Sequence, residues 1–261
     1  MDQFFKNSLP PMVQVSRGAM FNATYVHKVG AGIVGTDFVP VADSLVYRTP
    51  QAGSATALRI KAGGNAADTA DGAGARSVRL TGLSAAGLVV SETIATAGAS
   101  ASAATTQTFM RLFEAEVMTS GTYGTQSAGS HAGDITIENA AGGTDWAKIP
   151  VNSFPTSQAS IGSYTIPDQY TGYVTDLSIE VEGTKSVDVI LLARGGILQT
   201  AAPYSPIYRL YEWVGVTEAI HQEFSNPLRV AELTDIGIVA KVSNGTGAVT
   251  TTMEILLLRN E

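Results

Sequence analysis

Residues 161–198 constrain the fold more than any other part of the chain, because apolar and polar residues alternate along two successive runs. The apolar members of the first run are Tyr173, Leu177, Ile179 and Val181. Those of the second run are Val187, Val189, Leu191 and Ala193. A period of two is that of a strand with one buried face, and the polar residues between the runs are typical of a tight turn. The stretch therefore predicts a β-hairpin that belongs to a sandwich.

The rest of the chain repeats this β pattern. Residues 77–98 predict a second hairpin with its turn at 83–87. Residues 108–118 predict a long strand, although the good helix formers in RLFEAEVM keep a helix as the alternative. Strands of the C-terminal half are predicted at 163–166, 172–181, 186–193, 207–214, 218–224, 237–242 and 250–258. We therefore expect an all-β protein whose C-terminal half closes into a sandwich.

A boundary between two β regions is predicted at residues 150–160, which contain two prolines and several polar residues. This divides the chain into an extended N-terminal arm at 1–18, an N-terminal β domain at 19–152 and a C-terminal β-sandwich domain at 161–261. The pair Pro10-Pro11 favours an extended arm over a helix. The arm either lies across a neighbouring subunit or is a terminus packed loosely on its own domain.

Composition argues against several classes of function. The chain has no Cys, so disulfides, thiolate metal sites and cysteine nucleophiles are excluded, which fits assembly inside a cell. A formal net charge of −7 with 15% charged residues argues against free DNA or RNA as a partner. No apolar run approaches the ~20 residues that span a bilayer. Asp2 and the early prolines do not fit a signal peptide, so we expect a soluble, unexported chain without a membrane partner.

Two glycine patterns resemble nucleotide-binding motifs without their context. Residues 30–35, GAGIVG, match G-x-G-x-x-G, but the β-prone residues and Pro40 that follow leave no room for the helix that would hold a pyrophosphate. A glycine-rich turn is predicted instead. Residues 183–186, GTKS, lack both glycines of a P-loop. Neither pattern predicts a cofactor site.

The acidic and histidine residues do not define a metal site. Asp68 and Asp71 are the local carboxylates of a Gly- and Ala-rich loop, so a solvated turn is favoured, while a Ca²⁺ ion with further ligands from elsewhere stays open. His27, His131 and His221 are widely separated and lack zinc-site spacing.

Ser130, His131 and Asp134 supply the residue types of a catalytic triad within one short segment. A triad usually converges from distant segments, and no G-x-S-x-G elbow surrounds Ser130. A flexible surface loop is therefore predicted. No catalytic, cofactor-binding or metal-binding residue is assigned, and we expect a protein that is not an enzyme.

Aromatic residues offer a candidate contact surface. Trp146 and Trp213, together with Tyr204, Tyr208 and Tyr211, are of the types that stack on glycans or pack at subunit interfaces. Tyr211 and Trp213 have strand spacing. Packing in the core is the ordinary alternative and is favoured.

Three segments within about residues 76–258 contain recognisable strand and turn patterns. The first segment, a hairpin pattern, contains Arg79, Gly82, Leu83, Gly87 and Glu92. The second, which opens a sandwich, contains Tyr164, Ile166, Pro167 and Gly172. The third contains Phe224, Pro227, Leu228, Thr234, Asp235 and Ile236. With these patterns the chain, over about residues 76–258, resembles virion structural proteins of tailed bacteriophages. The residues belong to strand and turn patterns and do not define a reactive site.

The resemblance implies a jelly-roll-like antiparallel sandwich and a non-enzymatic role in a virion. We expect a capsid-associated decoration or cement protein that stabilises the shell, assembled in the host cytoplasm. Its partners would be further copies of itself, as in a trimer, and the major capsid protein or other virion proteins. A tail, collar or fibre component that contacts a host glycan is the first alternative, with Tyr208, Tyr211 and Trp213 as candidate stacking residues. A carbohydrate-binding β-sandwich protein is the second.

Overall fold

The computed structural model describes residues 11–20, 22–42, 55–122, 129–151, 156–183 and 185–261. Within these residues the protein is all β, as predicted: one short helix, α1 at Pro11–Ser16, precedes fifteen strands. The first eight strands are β1 (Ala23–Val34), β2 (Val39–Pro40), β3 (Leu58–Ile60), β4 (Ala75–Leu83), β5 (Val89–Ala95), β6 (Arg111–Ser120), β7 (Ile135–Asn139) and β8 (Asp145–Ile149). The others are β9 (Tyr164–Thr165), β10 (Tyr170–Val181), β11 (Val187–Arg194), β12 (Tyr208–Val216), β13 (Ile220–Val230), β14 (Asp235–Val242) and β15 (Gly247–Arg259).

Eight of these strands form a two-layer sandwich. Sheet I has the order β1-β15-β10-β13, and sheet II has the order β12-β11-β14-β2, with β9 paired to one end of β14. All of these pairings are antiparallel. Counted along the chain, the eight strands are arranged 1-8-3-6 and 2-7-4-5, which is the strand order of a jelly roll. The predicted jelly-roll-like sandwich is therefore confirmed.

Alternating side chains form a continuous apolar core between the two sheets. Leu177 and Ile179 of β10 are completely buried there, as their spacing predicts. The first half of β10 differs from the prediction, because Val174 is buried and Tyr173 is only half-buried. A β-bulge between Val174 and Asp176 explains the difference, since an extra residue reverses the alternation of the strand.

The strands β10 and β11 do not form a hairpin, which corrects the prediction for residues 161–198. β10 pairs with β13 and β15 in sheet I, whereas β11 pairs with β12 and β14 in sheet II. Their connection therefore crosses between layers, and Thr184 within it lies outside the described residues. Alternation shows that a strand has one buried face, but strands of both layers share that property, so the pattern does not distinguish a hairpin from a crossover.

The strands β3 to β8 belong to an insertion in the jelly roll, at residues 41–163. Sheet III has the order β3-β7-β8 and sheet IV the order β5-β4-β6, and their side chains share a second apolar cluster. The two ends of the insertion meet, since Ala42 and Ile161 form an isolated β-bridge. The strand pairing does not follow the predicted division into 19–152 and 161–261. β1 and β2 precede the insertion, yet they pair with β15 and β14 from the far end of the chain.

The other local predictions are mostly confirmed. β4 and β5 form the second hairpin, with Leu83 opposite Val89, and RLFEAEVM lies in strand β6. The predicted arm is wrong in its described part, because Pro11 begins helix α1, and proline is compatible with the first helical turn. Residues 1–10 of the arm lie outside the described residues. The described part of the chain has no helix that is long and apolar enough to cross a membrane.

Candidate functional site at the exposed edge of the jelly roll

The residues of the G-x-G-x-x-G pattern lie mainly in strand β1, so the predicted glycine-rich turn is wrong. A Cβ on Gly30 would come within 2.4 Å of the carbonyl oxygen of Val41 and 2.7 Å of the Cα of Gly162. Glycine is needed there because the backbone of β1 passes close to both ends of the insertion. In the GTKS pattern, the Lys185 Nζ donates to the side-chain oxygen of Asn244 at 3.1 Å, in a neighbouring connection.

Asp68 is buried, which corrects the prediction of a solvated turn. Its Oδ1 accepts hydrogen bonds from the backbone N–H of Ala75 at 2.8 Å and of Ala132 at 2.9 Å. Its Oδ2 accepts one from the N–H of Gly133 at 2.9 Å. These bonds join two separate loops of the insertion, so both carboxylate oxygens already serve the fold. Asp71 is exposed on the same loop.

Ser130 and His131 are in contact, but Asp134 does not complete a triad. The Ser130 Oγ lies 2.9 Å from the His131 Nδ1, and the His131 Nε2 donates to the carbonyl oxygen of Pro150 at 3.1 Å. Asp134 instead accepts a hydrogen bond from the N–H of Val151 at 2.7 Å, which lowers the pKa of its carboxyl. A triad needs a carboxylate on the histidine nitrogen that faces away from the serine. Ser130 and His131 are buried, which corrects the predicted surface loop.

The other two histidines lie on the outer face of sheet I. His27 pairs with Glu254, and the His221 Nε2 lies 3.2 Å from the Asp176 Oδ2. Glu254 is the cross-strand neighbour of both His27 and Asp176, so the four side chains form a row across the sheet. Among the described residues, no group of three or more His, Cys, Asp or Glu side chains is placed to hold a metal ion.

A buried ion pair joins the insertion to the jelly roll. Arg111 of β6 donates to Asp235 of β14 through Nε at 3.1 Å and Nη2 at 2.9 Å, and both side chains are 1% exposed. Thr165 of β9 donates to the Asp235 Oδ1 at 2.8 Å, and the Arg111 Nη1 donates to the carbonyl oxygen of Met110 at 2.9 Å. Sequence reasoning missed this pair. An arginine within the apolar run FMRLF was the available signal, but its partner is distant in sequence.

A buried lysine makes a second polar contact across the same junction. The Lys28 Nζ, on strand β1, donates to the carbonyl oxygen of Phe113 in β6 at 2.6 Å. Burial lowers the pKa of Lys28 to about 8, although the negative charge of Glu114 partly opposes the shift. The Phe113 ring packs on Tyr164 with 4.4 Å between ring centroids, and burial also raises the pKa of Tyr164.

An open cavity of about 200 Å³ lies between the insertion and the outer face of sheet II. Large apolar side chains line it from both sides: Met110, Leu112, Trp146, Ile161, Leu192 and Ile207. The cavity shows that the insertion covers the outer face of sheet II over β14 and β2. Most side chains of β12 are exposed in the part of the chain that the structure describes.

The predicted aromatic surface is divided between the core and the exterior. Trp146 is buried in the second apolar cluster, inside the insertion. Trp213 is buried in the jelly-roll core, where Tyr211 packs against it and against Phe224 with ring centroids 4.6 and 5.6 Å apart. Tyr211 is partly exposed, and Tyr208 is 58% exposed. Of the three candidate stacking residues, the two tyrosines are therefore the accessible ones.

These tyrosines lie at an open edge of the sandwich, formed by the consecutive strands β12 and β13. Each strand is the last in its sheet, β12 in sheet II and β13 in sheet I. β13 is interrupted, because its residues 224–227, which include Pro227, lie opposite Thr175 alone. β12 contains no proline. We call residues 207–214 the β12 edge and treat it as the candidate functional site.

Comparisons with known proteins identify no family. No family model matches the chain, and no curated protein matches it. Two of the solved structures found are of infectious bursal disease virus. The Gx strain structure is 8% identical with a TM-score of 0.23, over 92% of this chain and 77% of that one. The VP2 subviral particle is 9% identical with a TM-score of 0.21, over 91% and 77%. Such TM-scores do not establish a shared fold, and neither structure bears on tailed bacteriophages.

Proposed function

We propose that this chain is a non-enzymatic structural protein of a virion, and within that class a decoration or cement protein on the capsid of a tailed bacteriophage. The observation that carries the proposal is an eight-stranded jelly roll with an exposed strand edge. Jelly rolls of two sheets form viral capsid domains, although lectins and cupins share the architecture. A free strand edge is a surface on which a neighbouring subunit can add.

The three segments that resemble phage virion proteins meet in space, which supports the proposal. The N–H of Asp168, beside the second segment, donates to the carbonyl oxygen of Gly87 in the first at 2.9 Å. The N–H of Ile166 in the second donates to the carbonyl oxygen of Thr234 in the third at 3.0 Å. Asp235 of the third segment also holds the ion pair to the insertion. Parts of all three segments therefore meet at the junction between the insertion and the jelly roll.

In this proposal the chain acts by assembly rather than by chemistry. It is made in the host cytoplasm, self-associates as a homo-oligomer such as a trimer, and binds across major capsid subunits to stabilise the shell. Symmetry allows one surface to be used many times in such a particle. The buried Ser130 and His131 and the occupied carboxylate of Asp68 support a role without catalysis.

A tail, collar or fibre component that contacts the host surface is the second candidate. The exposed rings of Tyr208 and Tyr211 favour it, because aromatic rings at a surface stack on sugars. A carbohydrate-binding sandwich that acts outside virions would use the same two residues.

Quantitative mass spectrometry of purified virions tests the proposal. We expect on the order of hundreds of copies per particle, because a shell protein follows the symmetry of the capsid. About a dozen copies or fewer would contradict the shell role and support the tail. Absence from virions, together with glycan binding by the purified chain that Tyr208→Ala abolishes, would overturn both virion roles.

A further inference from the structure

Strand β12 has a free outer edge with few of the features that protect such edges. β11 is its neighbour in sheet II, and no other described strand pairs with it. Proline, lysine and large bulges commonly block pairing at sheet edges. β13 has Pro227 and an interrupted register, whereas β12 has neither proline nor lysine. β12 does carry two β-bulges, one at Leu210 and one at residues 214–215, where it has one residue more than β11. The bulges are therefore the protection that this edge has, and it lacks the proline and lysine that block pairing most directly.

The register with β11 separates the side chains of β12 into two faces. Tyr211 and Trp213 lie opposite buried core residues of β11, so they take the core side. Arg209 and Glu212 lie on the outer face, where they form an exposed ion pair three residues apart. Aromatic residues therefore close the core at this edge, while charged residues face outward.

Two apolar residues flank the charged pair on the same outer face. Val214 follows the core-facing Trp213 and is 73% exposed. Ile207 precedes strand β12, is 55% exposed and shares the junction cavity with the outer-face residue Leu192. The outer face of the β12 edge thus has the order apolar, basic, acidic, apolar.

This order is complementary to itself when a second copy runs antiparallel. With Leu210 opposite the partner's Tyr211, Arg209 lies opposite the partner's Glu212 and Ile207 lies opposite the partner's Val214. Each pair occurs twice because the arrangement is twofold. Opposite residues in an antiparallel pair point to the same face. The bulge at Leu210 puts Arg209 and Glu212 on one face despite their odd spacing, so the charged and apolar pairs meet side by side.

We infer that the β12 edge is the contact through which a second copy of this chain binds, with the two β12 strands antiparallel about a twofold axis. Sheet II then continues across the axis into the partner, which satisfies the free backbone groups of both edges. The inference rests on the proposed assembly function, because one strand edge buries a small area and is useful chiefly when repeated over a particle. The partner is a second copy of this chain, and the register places Arg209 opposite Glu212.

Charge reversal tests the register in the purified chain. Arg209→Glu places two acidic side chains opposite each other at both ends of the axis, and Glu212→Arg places two basic ones there. Each single variant should weaken dimerisation by about tenfold or more, because like charges directly opposite are destabilising. The double variant Arg209→Glu/Glu212→Arg restores opposite charges and should return the dissociation constant to within about threefold of the original. Arg229→Glu, on the exposed surface of β13, is the matched control.

Sedimentation equilibrium over a range of concentrations gives the dissociation constants, and thermal unfolding shows whether each variant folds. Weaker dimerisation of both single variants, together with recovered dimerisation of the double variant, supports the contact. The inference is overturned if the original chain stays monomeric to about 1 mM, or if the single variants dimerise as tightly as the original chain. A high copy number in virions combined with either result would refute this contact while leaving the proposed function intact.

Discussion

The jelly roll and the insertion are both antiparallel β, but different interactions hold them together. The jelly roll has long strands, and one continuous apolar core lies between its sheets. In the insertion, most strands are shorter, and buried polar side chains hold its loops. Ser102 and Thr105 accept hydrogen bonds from the backbone of β3, and Asp68 accepts three more from backbone N–H groups. The short sheets of the insertion thus rely on side-chain hydrogen bonds, whereas the long sheets of the jelly roll rely mainly on apolar packing.

The junction between the two regions combines both kinds of interaction. Leu83 and Phe113 of the insertion are part of the jelly-roll core. Around them lie the buried Arg111–Asp235 pair and the bond from Lys28 to Phe113. Buried charges cost free energy unless they are paired and hydrogen-bonded, so these contacts hold the insertion in one orientation more than they add stability.

Breaking the buried ion pair should have the largest effect. Arg111→Met leaves Asp235 buried without its counter-ion, and we expect a loss of about 3–5 kcal/mol in the free energy of unfolding. The matched control is Arg79→Met, which removes a partly exposed pair with Glu116 in the same sheet and should cost only about 1 kcal/mol. Denaturant unfolding measures both variants.

A rescue variant separates loss of charge balance from loss of packing. Arg111→Met/Asp235→Leu removes both charges and should recover most of the stability, because an apolar pair can replace a buried ion pair. Equal stability losses for Arg111→Met and Arg79→Met would contradict a special role for the junction.

The buried lysine should give the junction a pH-dependent stability of intermediate size. The pKa of Lys28 is about 8 in the folded protein and 10.5 for an ordinary lysine, so the unfolded chain binds more protons between these values. The free energy of unfolding should therefore rise with pH across that window, by up to about 3 kcal/mol. Lys28→Met should lack this rise.

The difference between the two unfolding curves, measured from pH 7 to 10.5, isolates the lysine from other titrating groups. Lys61→Met, which removes a partly exposed lysine of the insertion, is the control. The hydrogen bond to Asp145 raises the pKa of Lys61, so the original chain should show no rise in stability with pH relative to this variant. Parallel curves for Lys28→Met and the original chain would show that Lys28 is not buried as described.

The difference between the jelly roll and the insertion also determines which features could be predicted from the sequence. Alternation in the jelly-roll strands identified nearly every strand, because each has one face in a single core. Their pairing could not be predicted, since β1 binds β15 from the other end of the chain. The burial and the partners of polar residues were harder to predict than the strand pairing. Asp68 lies in a glycine-rich loop whose composition is that of solvated loops. The sequence around Arg111 does not indicate that its partner is Asp235 in β14. At the β12 edge the sequence favours core packing for both aromatic residues, and Trp213 follows it whereas Tyr208 is exposed.

Asp68→Asn, in the insertion, should cause the smallest of the three changes in the free energy of unfolding. The substitution keeps the size of the side chain but replaces one accepting oxygen with an amide nitrogen that cannot accept a hydrogen bond. At the Oδ2 position this loses the bond from Gly133, and at the Oδ1 position it loses those from Ala75 and Ala132. We expect a loss of about 2 kcal/mol, with faster amide hydrogen exchange at the two loops and unchanged exchange in β10 and β15. Asp71→Asn, at an exposed position of the same loop, should change neither. If exchange in β10 rose as much as in the loops, the insertion and the jelly roll would unfold as one unit, and their different stabilisation would have no consequence for how the molecule opens.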